Sequence, residues 1–162
     1  MTVTRRALLG ASAIAALAPL AARAQGQAGY GSVAVDVGPL RAKGLGEYAD
    51  IVRGTLQREL AAAFADRMVR GGPRLVVRID GVSLRSYVGG GSGRLGGGGM
   101  QNDYLEGEAL VLGRGGAPVL RHPQLSALPA SSGGAWYLPD NEARRLQALC
   151  NHYASWLRRD LG

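Results

Sequence analysis

The sequence predicts an α+β domain: a two-layer sandwich in the order strand, helix, three antiparallel strands, helix, with both helices on one face of a small sheet. Three observations predict it. Residues 45–68 carry apolar side chains at helical spacing, residues 141–161 do so again, and two stretches between them alternate apolar and polar residues. Two amphipathic helices and a half-wet sheet bury their apolar sides only against each other. The length of 162 residues suits one domain. A mean hydropathy near zero excludes a strongly charged unfolded chain.

Val33-Ala-Val-Asp-Val37, a β-branched run bounded by Gly31 and Gly38-Pro39, reads as the first strand. The first helix spans about Leu45 to Met68, with Tyr48, Ile51, Val52, Leu56, Leu60, Phe64 and Met68 on its apolar face and Gly71-Gly72-Pro73 as its stop. From Arg74 to Val82, Leu75, Val77 and Ile79 fall on one face and Arg74, Val76, Arg78 and Asp80 on the other, the period of a strand with one wet face. A second such strand runs from Tyr104 to Leu112, with Leu105, Gly107, Ala109 and Val111 inward. Antiparallel pairing of the two would set Arg78 against Glu106 or Glu108. After the turn at Arg114-Gly-Gly116, Val119-Leu120 begins a short last strand. The closing helix covers Asn141 to Leu161, with Asp140 as N-cap, a stripe of Leu146, Leu149, Cys150, Tyr153, Trp156, Leu157 and Leu161, and solvated Arg144, Arg145, Arg158 and Arg159. A Trp156 within that stripe should cost about 3–5 kcal/mol when cut to alanine.

The chain opens with an address. A basic start (Arg5, Arg6), an apolar stretch from Ala7 to Ala18, and Ala22-Arg23-Ala24 before Gln25 are the three parts of an export signal, expected over residues 1–24 with cleavage before Gln25. The apolar run is short for a membrane span, which needs about 20 residues; no stable span is expected after cleavage, and an uncleaved anchor is the alternative. Thr4-Arg5-Arg6-x-Leu8-Leu9 resembles a twin-arginine signal and points to that route ahead of general secretion. Residues 25–32 read as a linker, and 33–162 as the domain. The expected location is the periplasm.

Of 19 basic residues, removal of Arg5, Arg6 and Arg23 leaves 16 against 12 acids, a net charge of about +4. In the periplasm that balance meets lipid and glycolipid anions, and nucleic acid is not an expected partner. One cysteine excludes an intramolecular disulfide and a cysteine-built zinc site.

Eight of the eleven residues 89–99 are glycine, and Gly91-Ser-Gly93-Arg-Leu-Gly96 matches the dinucleotide fingerprint in letters. The fingerprint needs a helix directly after the glycines to receive the pyrophosphate, and here a strand follows. A Gly-rich hairpin loop is expected instead. Cys150 and His152, two apart on a helix, point about 200° apart and cannot form a nucleophile–base pair. His122 and His152 lack an acidic cluster, so no metal site is expected, nor any cofactor. No Gly-x-Ser-x-Gly elbow appears, and Glu106 and Glu108 read as solvated residues of a wet strand face. Gly133-Gly-Ala-Trp136-Tyr137-Leu-Pro139 places two large aromatics in one loop, either a staple over the core edge or anchors for a partner.

The order of elements, with Leu75-Val-Val-Arg-Ile79, Tyr104-Leu-Glu-Gly-Glu-Ala-Leu-Val-Leu112 and Glu142-Ala-Arg-Arg-Leu-Gln-Ala-Leu149, resembles the lipopolysaccharide-assembly lipoprotein family, and other small envelope lipoproteins share the layout. The resemblance implies a small α+β envelope domain of the kind that plugs and helps fold the outer-membrane lipopolysaccharide translocon. Those families carry a cysteine at the cleavage site; position 25 here is Gln, which implies an unlipidated relative. The expected function is a non-enzymatic binding or assembly domain of the cell envelope. Its expected partner is an envelope protein or a lipopolysaccharide-like anionic glycolipid, met by Arg78, Arg85 and Arg94, with Trp136 and Tyr137 as anchors. The alternative is a periplasmic enzyme of unknown reaction type, which would need two titratable groups converging in a deep pocket.

Overall fold

A computed structural model describes residues 29–85 and 102–162. Four strands, β1 (Ser32–Asp36), β2 (Arg74–Ser83), β3 (Asn102–Leu112) and β4 (Pro118–Pro129), lie side by side in sequence order. Helices α1 (Gly38–Ala42), α2 (Gly46–Ala63) and α3 (Asn141–Leu161) accompany them. β1 and β2 run parallel, joined by the α1–α2 crossover, whereas β2–β3 and β3–β4 are antiparallel. The open sheet with α2 and α3 packed on one side is the expected α+β sandwich.

Alternation holds in the middle of the sheet. Leu75, Val77 and Ile79 of β2 and Leu105 and Ala109 of β3 are fully buried, facing Leu56 and Leu60 of α2 and Leu149, Tyr153 and Leu157 of α3. Arg78 stands opposite Glu108, as one of the two alternatives anticipated, and its Nη2 lies 3.2 Å from the Glu108 carboxylate. The β2–β3 register shifts between Ile79 and Gly81, which sets Gly81 rather than a charged residue opposite Glu106. Gly107 sits where a Cβ would collide with the Arg78 carbonyl and crowd the Tyr153 hydroxyl, so only glycine lets the helix approach the sheet here.

Several elements differ from expectation. α2 ends at Ala63, not near Met68, and the glycines at 71 and 72 do not stop it. The chain leaves the helix at Phe64 and passes through a 3-10 turn at Ala65–Arg67, so that Met68 bridges Tyr30 in parallel. Tyr30 N–H donates to Arg67 O (2.7 Å) and Val69 N–H to Tyr30 O (2.9 Å). Tyr30, expected in a linker, is therefore a buried part of the fold, edge-on to Phe64 with ring centroids 5.5 Å apart. Ile51 and Met68 fall off the apolar face and are exposed. Gly38-Pro39, expected only to end the first strand, opens α1: the Asp36 carboxylate accepts the Gly38 N–H at 2.8 Å, and Pro39 sits in the first turn, where its φ suits the helix.

β4 is twelve residues long, not a short hairpin strand, and places His122 in mid-strand. α3 has the expected bounds, but Asp140 makes no side-chain cap; its carboxylate pairs instead with Arg144 at 2.7 Å. Trp156 lies at the margin of the stripe and is 41% exposed. Arg145, expected in solvent, is buried. Arg158 is half-buried, its Nε donating to Ala63 O at the end of α2 (3.1 Å) and its Nη2 to Asp66 (2.8 Å). Among the described residues, no helix is long and apolar enough to cross a membrane.

Candidate functional site

One end of the sheet gathers the C-terminus of β2, the N-terminus of β3, the C-terminus of β4 and the start of α3. Asp103, on the helix-facing side of β3, is fully buried and meets Arg145 of α3, which donates through Nε (2.8 Å) and Nη2 to its two oxygens. The same two groups hold Arg85: the Arg85 N–H donates to Asp103 Oδ1 (2.9 Å), and Arg145 Nη2 donates to Arg85 O (2.8 Å). A buried carboxylate and guanidinium that satisfy each other and a strand end form a complete polar cluster. Sequence reasoning missed both residues, because alternation marks Asp103 as inward only after the strand's start at Asn102 is known.

Above this cluster a 3-10 turn at Ala130–Gly133 leads into Gly134, whose φ of 87° is open to glycine alone at low cost. The segment that follows carries Trp136 and Tyr137. Asn141, buried at the start of α3, donates from Nδ2 to the carbonyls of Gly134 and Ala135 (3.2 Å each) and so ties the segment to the helix. Trp136 and Tyr137 are 67% and 72% exposed and contact each other edge-on at 6.0 Å. They do not cover the core edge, so the staple is not formed.

Of the arginines expected at a partner surface, Arg85 lies at this end with its side chain exposed. Arg78 lies seven residues back along β2 on the open face of the sheet. Its guanidinium is committed to Asp80 (3.1 Å) and Glu108 (3.2 Å), with Arg121 sharing Glu108 at 3.2 Å. The Asp80 hydrogen bond is the main cause that raises the Arg78 pKa. Arg94 and the whole 89–99 loop, and Arg5, Arg6, Ala22 and Ala24 of the export signal, lie outside the described residues.

A second feature runs along the flank where α3 meets the edge strand β4. Two adjoining cavities of about 580 and 310 Å³ share His152 and Trp156. The larger also meets Glu59 and Asn151, hydrogen-bonded to each other at 2.8 Å; the smaller lies against His122, Ser126 and Asp160. His122 Nε2 and Asp160 are 3.4 Å apart, and the Arg159 guanidinium carbon rests 3.3 Å from the centre of the Trp156 ring. Burial lowers the His152 pKa. Cys150, two residues from His152, points into the core, and burial pushes its thiol up to about 12. Among the described residues, no three His, Cys, Asp or Glu side chains converge as metal ligands.

The chain is similar to the crystal structure of a protein assigned as a lipoprotein from Caulobacter crescentus CB15, with 15% identity over 82% of this chain and 86% of that one and a TM-score of 0.48. It is also similar to a minor lipoprotein from Acinetobacter baumannii, with 12% identity over 82% of this chain and 92% of that one and a TM-score of 0.43. No protein-family model and no curated protein matches the chain.

Proposed function

We propose that the chain is an exported, non-enzymatic binding domain of the bacterial cell envelope that engages a protein partner through Trp136 and Tyr137. The observation that carries this reading is the exposure of two adjacent large aromatics on a segment held in place by Asn141. Anchored aromatics of this kind lose little side-chain entropy on contact and supply much of the energy of an interface. Export rests on the basic, apolar and small-residue order of residues 5–24. A protein is favoured over an anionic glycolipid because Arg78 is already paired with Asp80 and Glu108, which leaves Arg85, at the same end of the sheet, among the described arginines expected to meet anions.

The test is cross-linking in the native host followed by purification of a tagged chain and its Trp136→Ala/Tyr137→Ala variant. A protein recovered with the parent and lost with the variant, at unchanged circular dichroism, is the expected result. Equal recovery by both, or recovery of lipopolysaccharide alone, refutes the reading.

A further inference from the structure

The two edges of the sheet are treated differently. At β1, the Gln57 side chain of α2 takes up the edge main chain, accepting from Val35 N–H (3.0 Å) and donating to Val33 O (2.9 Å). At β4, among the described residues, no strand and no side chain hydrogen-bonds to the outer main chain. Pro118, Pro123 and Pro129 divide this edge and confine any added pairing to short runs, of which Gln124–Leu128 borders the smaller cavity through Gln124, Leu125 and Ser126.

The cavity beside that run has a definite chemistry. It is walled by Trp156 and ends at Asp160, in the last turn of α3, where the helix dipole adds partial negative charge. A guanidinium already meets two of its walls: Arg159 from the same helix lies over the Trp156 ring and reaches Asp160 Oδ1 at 3.4 Å. An edge strand supplies main-chain affinity, and a flanking pocket selects alternate side chains.

We propose that the β4 edge and this cavity bind an extended peptide carrying an arginine or lysine side chain, with Arg159 as an internal stand-in for that side chain. This site is separate from the Trp136–Tyr137 surface and does not depend on it.

The probes are nine-residue alternating Thr/Val peptides with arginine, lysine, glutamate or alanine at the centre, titrated into the full chain. Amide hydrogen exchange is read along β4, and Trp156 fluorescence is read in a Trp136→Phe background. The arginine peptide should slow exchange within residues 124–128 and change Trp156 emission. Arg159→Ala should tighten it about two- to fivefold, the worth of one exposed cation–π contact. Asp160→Asn should weaken it, and Trp136→Ala/Tyr137→Ala should leave it unchanged. Equal binding of the arginine and glutamate peptides, no protection at β4, or self-association of the chain through this edge in sedimentation overturns the proposal.

Discussion

Arg145 and Asp103, 42 residues apart in the chain, meet as a bidentate ion pair with side chains 5% and 0% exposed. The pair also grips both main-chain groups of Arg85, so it fastens α3 to the ends of β2 and β3 at the aromatic end of the molecule. Removing one partner strands a buried charge. Asp103→Ala should therefore cost about 3–5 kcal/mol in urea unfolding. Asp103→Leu with Arg145→Met, which replaces both by apolar groups, should recover most of that loss. A single-variant cost below about 1 kcal/mol is incompatible with a buried pair.

The margin of the α3 stripe is a second point of test. Trp156 is half-exposed and stacked under Arg159, whereas Leu149 is fully buried against the sheet. Leu149→Ala should cost about 2–5 kcal/mol. Trp156→Ala should cost less than Leu149→Ala, and less than the 3–5 kcal/mol expected of a fully buried tryptophan. Denaturant titration of the two variants ranks them directly; the reverse order contradicts the packing.

Cys150 is expected to be inert in the native state. Its thiol is buried and pushed up to about 12, so the thiolate that reacts is scarce at neutral pH. A chromogenic disulfide reagent at pH 8 should label it only after denaturant is added. Rapid labelling of the folded chain would place the thiol at the surface.

Acid should destabilise the protein in two stages. Burial lowers the His152 pKa, so below its ordinary value near 6.5 the unfolded chain binds a proton that the folded chain refuses. Stability then falls as pH drops through and below that value. Asp66, hydrogen-bonded by Arg158, is held below its ordinary 3.8, and the stability it supplies above that value is lost as pH falls through the lowered one. Thermal unfolding between pH 3 and 8 should show His152→Gln flattening the upper stage and Asp66→Asn the lower. A His152→Gln profile identical to the parent's contradicts the burial of that ring.

Most of the layered fold was legible because it is written in period. The stripes of α2 and α3 and the alternation of β2 and β3 are local patterns, and each matched an element in the structure, as did the pairing of Arg78 with Glu108. The parts that were not legible depend on partners far along the chain. α2 stops five residues before Met68 because the chain must turn back to bridge Tyr30, a contact that no local spacing announces. β4 continues through Pro123, a residue that argues against a central strand but is tolerated at an edge, and its place at the edge is a property of the assembled sheet.

The candidate sites divide in the same way. Trp136 and Tyr137 stand out in the sequence as paired aromatics in a glycine-flanked loop, yet whether they staple the core or face solvent depends on Asn141 tying that loop to α3. Arg145 looks like any other basic residue of a helix face; only the buried Asp103 opposite turns it inward.

From the sequence by itself came the class of fold, the two helices, the paired central strands and an export-like start, because amphipathic period and signal composition are properties of consecutive residues. Tertiary structure alone decided which charges are buried, which aromatics are exposed, and that, among the described residues, β4 rather than β1 has an open edge. Those outcomes depend on which distant groups meet, and the free energy of a buried charge or an unpaired strand edge is set by its neighbours in space.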